Sequence, residues 1–175
     1  MKKVLALILV LVMALGIGVP VLAQTQTIEL DIIMGGGNPA SSTNVGTATI
    51  NYDYDGIDSF FDVTIDITEP GWTLAETHVY IAESPPQKSA PGKFPYKDEE
   101  GNTPVGTAAI PDVVPGDTVA VAVHVELVGL DAAGNEVEET GWAQLPGDPG
   151  GIDPNLPIGK GANWATYIIW PLPTS

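Results

Sequence analysis

Apolar and polar residues alternate with a period of two along much of the chain after residue 23. From Thr118 to Leu127, the residues Val119, Val121, Val123, Val125 and Leu127 fall on one side. Thr118, Ala120, Ala122, His124 and Glu126 fall on the other. Successive side chains of a strand point to opposite faces, so this pattern predicts a core strand whose second face is small or polar. Phe61, Val63, Ile65 and Ile67 alternate with Asp62, Thr64 and Asp66 in the same way, as do Ile50, Tyr52 and Tyr54 with Thr49, Asn51 and Asp53. Weaker strand patterns cover 27–33, 72–82, 105–110, 136–143 and 163–170.

Turn residues separate these runs. Asp55-Gly56 predicts a tight hairpin, and Ala133-Gly134-Asn135 predicts another between 118–128 and 136–143. Gly, Pro and Ser gather in 35–44, 84–104 and 146–162, which read as the long loops. No amphipathic helical pattern follows Ala23. Many short strands with turns between them predict an all-β fold, an antiparallel β-sandwich of about eight strands.

The first 23 residues break this pattern. Lys2 and Lys3 precede an uncharged apolar run from Val4 to Leu22, and Val21-Leu22-Ala23 supplies a cleavage site before Gln24. This is the layout of a secretory signal, with an uncleaved anchor as the rival reading. The expected division is a signal peptide over 1–23 and one β-sandwich domain over 24–175. The expected location is secreted or at the cell surface, with no membrane insertion of the mature domain. The absence of cysteine excludes a disulfide framework and thiolate chemistry.

Charge narrows the partners. From Gln24 onward there are 22 acids, four Lys and no Arg, a net charge of −18. Nucleic acid needs Lys and Arg to displace its counterions, so it is excluded as a partner. An extracellular protein or glycan is the expected partner class. Carboxylates suit hard cations, and Ca²⁺ is the cofactor they suggest. Asp53, Asp55 and Asp58 surround Gly56 and form a candidate calcium loop, although an Asp-Gly turn explains them equally well. Asp148, Asp153 and Asn155 are a second such group.

Other residues offer sites of a different kind. His78 and His124 are the only histidines, each with an acid two residues away on the same face, Glu76 and Glu126. Were their strands adjacent, the two imidazoles and a carboxylate such as Glu139 could hold a transition metal. Their spacing matches no metal signature, and hydrogen-bonded structural histidines are the alternative. Trp72, Trp142 and Trp164 could stack on a sugar or fill the core. No Gly-x-Ser-x-Gly elbow is present, and Ser59, Ser84 and Ser89 have no distinguishing flank.

Four segments stand out together: Trp72 with Glu76-Thr77-His78-Val79-Tyr80-Ile81, Ala90-Pro91-Gly92-Lys93-Phe94-Pro95-Tyr96, Glu139-Thr140-Gly141-Trp142, and Gly161-Ala162-Asn163-Trp164-Ala165-Thr166-Tyr167. Over residues 71–170 this set resembles a module of uncharacterised secreted bacterial proteins, whose pattern runs W…ETHLYVG…APGQFPY…AAH…ETAWG…GKNWATYF. The chain departs from it at Ala82-Glu83, where Gly is expected, and at Gly141, where Ala is expected. The resemblance implies an extracellular β-domain and assigns no activity. The expected function is a non-enzymatic extracellular or cell-surface binding or structural module, with Ca²⁺ as its candidate stabilising ion. The alternatives are a carbohydrate-binding module using exposed Trp, and a metal-dependent hydrolase using His78 and His124.

Overall fold

A computed structural model describes residues 23–35, 42–107, 109–131, 133–146, 156–158 and 165–174. The signal expected over 1–23 lies outside the described residues, except for Ala23. So do Trp164, Asp148, Asp153 and Asn155.

The described chain is all β and antiparallel. Its strands are β1 (Gln24–Met34), β2 (Thr43–Tyr54), β3 (Ser59–Ile67), β4 (Trp72–Ala82), β5 (Tyr96–Asp98), β6 (Val105–Gly106), β7 (Thr118–Leu130), β8 (Glu136–Gln144), β9 (Leu156–Pro157) and β10 (Thr166–Pro171). One 3₁₀ turn, Pro91–Lys93, lies between β4 and β5. Eight strands follow the order β5-β4-β7-β8-β1-β2-β3-β6, while β10 pairs with β7 and β9. The sheet curls so that β3 comes beside β4 and β5 beside β6, which makes it sandwich-like and nearly closed.

The alternating faces explain the packing. Leu30, Ile32, Ile50, Val63 and Ile65 from β1–β3 meet Val79, Ile81, Val121, Val123, Val125 and Leu127 from β4 and β7 in one core. Trp170 of β10 is fully buried and closes an aromatic group with Tyr52 and Phe61, with ring centroids 5.2–6.5 Å apart. Ser59 is buried beside them and donates to the Val113 carbonyl at 2.7 Å.

Two expected turns form. Asp55 Oδ1 accepts from the Ile57 and Asp58 N–H groups at 2.9 Å each, closing the β2–β3 hairpin. Asp131 Oδ1 accepts from the Ala133 and Asn135 N–H groups in the β7–β8 turn, with Gly134 at φ +83°. Short side chains that bond nearby backbone favour such turns. The 84–104 segment carries β5 as well as loop, and 146–162 carries β9. Both strands are too short to show a period.

The second face of β7 carries the expected small and polar residues and is covered as well: Ala120, Ala122 and His124 are buried along with the valines. A second apolar cluster covers them, built from Phe94, Ala122, Trp142, Ile158 and Ala165, with Tyr80 and Tyr167 packed against it.

Candidate functional site

That second cluster lies on the outer face of β4, β7 and β8, away from the main core. Its parts come from the segments that stood out in the sequence: Tyr80 from β4, Phe94 from the loop before β5, Trp142 from β8, and Ala165 and Tyr167 at β10. Pro91 starts the 3₁₀ turn that returns Phe94 to the sheet. Phe94 meets Tyr80 at a centroid distance of 5.6 Å and Trp142 at 6.2 Å. The loop leaves a cleft of about 290 Å³ beside this contact, lined by Tyr80, Pro86, Gln87, Lys88, Ala90, Lys93 and Phe94. The tyrosine hydroxyl donates to the Ser84 carbonyl at 2.7 Å, so the ring is held at the cleft wall.

Next to the aromatic cluster, strand register sets two imidazoles and two carboxylates in a rectangle. His78 of β4 stands opposite His124 of β7, and Glu76 stands opposite Glu126. On β8, Trp142 faces His124 and Thr140 faces Glu126. A register shift between Leu74 and Glu76 lets Ala75 bulge, which places Glu76 and His78 on this face while Leu74 stays in the core. The histidine rings lie 5.6 Å apart, and His124 meets Trp142 edge to face at 4.9 Å.

Both histidines are buried, with 3% of His78 and 5% of His124 exposed. The Nδ1 atom of each is buried without a hydrogen-bond partner. An unsatisfied buried polar atom costs about 1–3 kcal/mol. Burial, and then His78, push the His124 imidazole down to about 4, so it is neutral at pH 7. A neutral imidazole is the form that binds a metal. Nitrogen and oxygen donors of His78, His124 and Glu126 all lie within 4.8 Å of one another. Glu76 Oε2 stands 3.5 Å from His78 Nε2. Beyond the carboxylates lies a depression of about 310 Å³ walled by Glu76, Glu126, Glu138, Glu139 and Thr140.

The structure thus brings His78 and His124 together, as their possible adjacency required. The carboxylate beside them is Glu126, not Glu139. Glu139 pairs with Leu127, one position away from the Glu126–Thr140 pair, and is not among the donors gathered with the histidines. The signal for Glu126 was its two-residue offset from His124.

Asp53, Asp55 and Asp58 are not gathered into one site. Among the described residues, the only group of three or more metal-capable side chains is the one containing the histidines. The Asp55 carboxyl is held below the usual carboxylate range chiefly by the Asp58 N–H and then by that of Ile57, so the turn accounts for it.

The sugar-stacking expectation is corrected for Trp142, which is 4% exposed and fills the outer cluster. Trp72 is half-buried against the main core, where its ring lies over Gly129 and would meet any added Cβ at 2.6 Å. Sequence reasoning also missed Trp170, the largest fully buried side chain. No protein-family model, curated protein or solved structure matches the chain.

Proposed function

We propose that this chain is a non-enzymatic binding module that works outside the cytoplasm, engaging its partner through the outer face of β4, β7 and β8. One observation carries the reading: an apolar cleft with a cationic rim, set in a strongly acidic chain. The whole sequence has a net charge of −16, and only four Lys follow residue 23. Two of the four, Lys88 and Lys93, flank the cleft between Tyr80 and Phe94. A concave apolar surface with a few placed polar groups is the usual form of a ligand site. The lysines suit a partner with an anionic group, such as an acidic glycan or a protein carboxylate. The basic start, the apolar run and the Val21-Leu22-Ala23 boundary support export.

Two measurements test this. N-terminal sequencing of the protein recovered from the producing cells should give Gln24; recovery with Met1 intact would remove the export reading. Co-sedimentation with cell envelopes isolated from the same cells should be strong for the native protein. It should fall about tenfold, or 1.4 kcal/mol, for the double variant Lys88→Glu, Lys93→Glu. Both lysines are exposed, so this variant should keep its fold. Equal sedimentation of the two proteins, or none for either, would reject the cleft as the binding surface.

A further inference from the structure

We propose that His78, His124, Glu76 and Glu126 bind one divalent transition-metal ion of the Zn²⁺ class. The inference is independent of the lysine-rimmed cleft.

Three features of the rectangle point to a cation. The first is donor spacing. Donor atoms of His78, His124 and Glu126 lie within 4.8 Å of one another, and Glu76 Oε2 is 3.5 Å from His78 Nε2. Two ligands about 2.0–2.1 Å from a tetrahedral ion stand roughly 3.4 Å apart. The 3.5 Å separation is long for a hydrogen bond and matches two donors sharing an ion. Glu76 stands outside that group of three, and Glu76 and Glu126 are both only half-buried, so rotation of their long side chains can bring the carboxylates in.

The second feature is charge. Glu76 and Glu126 face each other across β4 and β7, and like charges directly opposite are destabilising. The ammonium of Lys97, opposite His78, is paired chiefly with Glu99 and acts on Glu76 only as a weaker charge contact. The third is the state of the imidazoles. Each is more than nine-tenths buried and keeps Nδ1 without a partner. The neighbouring position on β7, Ala122, shows that this face accepts apolar packing. An ion between the strands would add positive charge between the carboxylates and take one nitrogen of each ring, Nε2 on His78, the nitrogen that faces Glu76.

The donor set selects the ion. Two imidazoles and two carboxylates suit Zn²⁺, Co²⁺ or Cu²⁺. Ca²⁺ requires six to eight oxygens, which these four side chains cannot provide alone. Trp142 gives a built-in reporter, because its ring touches that of His124 at 4.9 Å.

The test begins with purified protein stripped by a chelator. Calorimetric titration with Zn²⁺ should show one ion per chain, and Ca²⁺ should not compete at equal concentration. Co²⁺ should give the visible absorption of a four-coordinate nitrogen–oxygen site, and Cu²⁺ should quench Trp142 fluorescence. Changing a residue that only supports a metal ligand costs ten- to a hundredfold in affinity. Loss of a ligand in His78→Gln or His124→Gln should therefore cost at least about a hundredfold. Glu126→Gln and Glu76→Gln should each weaken binding about tenfold or more, while Glu139→Gln should stay within about threefold. Absence of Zn²⁺ binding, equal Ca²⁺ binding, or full affinity in both histidine variants would overturn the proposal. Should those variants fail to fold, the Co²⁺ spectrum of the native protein decides alone: a purely octahedral, oxygen-type spectrum would reject the site.

Discussion

At the scale of single residues, burial of His124 on the outer face makes stability depend on pH. The unfolded chain protonates His124 near 6.5, whereas the folded chain does so only near 4. Between those values the unfolded state binds more protons, so folding stability falls as pH drops from 6.5 toward 4 and is fully present above 6.5. The difference amounts to roughly 3 kcal/mol. Urea unfolding of chelator-treated protein at pH 7 and pH 4.5 should reveal most of this loss, and His124→Gln should flatten it. An unchanged slope in the variant would assign the loss to other groups. Gly46 makes a different residue-scale prediction. A Cβ there would sit 2.1 Å from the Asp66 carbonyl oxygen of the adjacent strand. Backbone cannot yield as a side-chain tip can, so Gly46→Ala should destabilise by about 1–3 kcal/mol in denaturant titration. Gly46 lies before the alternating run that starts at Thr49, and only the β2–β3 approach explains why a side chain is excluded there.

At the scale of elements, the loop between β4 and β5 acts as a cover for the sheet. Phe94 is its anchor, held between Tyr80 and Trp142. Removing a buried Phe side chain costs about 3–5 kcal/mol when the surroundings cannot collapse. Phe94→Ala should approach that value and shift Trp142 emission to the red as water reaches the ring. A loss below about 1 kcal/mol with unchanged emission would show that the loop does not cover the sheet. The long strands were legible where a period of two runs through them, over Thr118–Leu127 in β7, Phe61–Ile67 in β3 and Thr49–Tyr54 in β2, whereas the Ala75 bulge interrupts it in β4. β5 and β9 were not, since three and two residues carry no period. Their existence depends on neighbours: Tyr96–Asp98 pair with Thr77–Val79, and Leu156–Pro157 with Thr166–Tyr167.

For the molecule as a whole, net charge sets the solution behaviour. At −16 the folded chain repels itself, and salt screens that repulsion. The midpoint of thermal unfolding should rise by a few degrees, about 2–6 °C, between 0.01 and 0.5 M NaCl. A flat or falling midpoint would mean that local pairs outweigh the net field. The curled sheet also governs how the resemblance segments meet. Residues as distant as Tyr80, Phe94, Trp142 and Ala165 share one cluster because β4, β7 and β8 are adjacent and β10 pairs beside them on β7.

The sequence by itself determined the all-β class, the main strands, two of the turns and the acidic, cysteine-free surface. Each is a local property: alternation, turn chemistry and composition act over a few residues or over none in particular. It also placed Glu76 with His78, and Glu126 with His124, on common faces. Only the tertiary structure decided that these two pairs face each other, because register between β4 and β7 depends on the Ala75 bulge and on burial of both sheet faces. The same register replaced Glu139 by Glu126, since Glu139 pairs with Leu127 and is not among the donors gathered with the histidines. Burial of Trp142 was decided there too: an indole at an alternating position has an exposed or a covered face according to which loop lies over it.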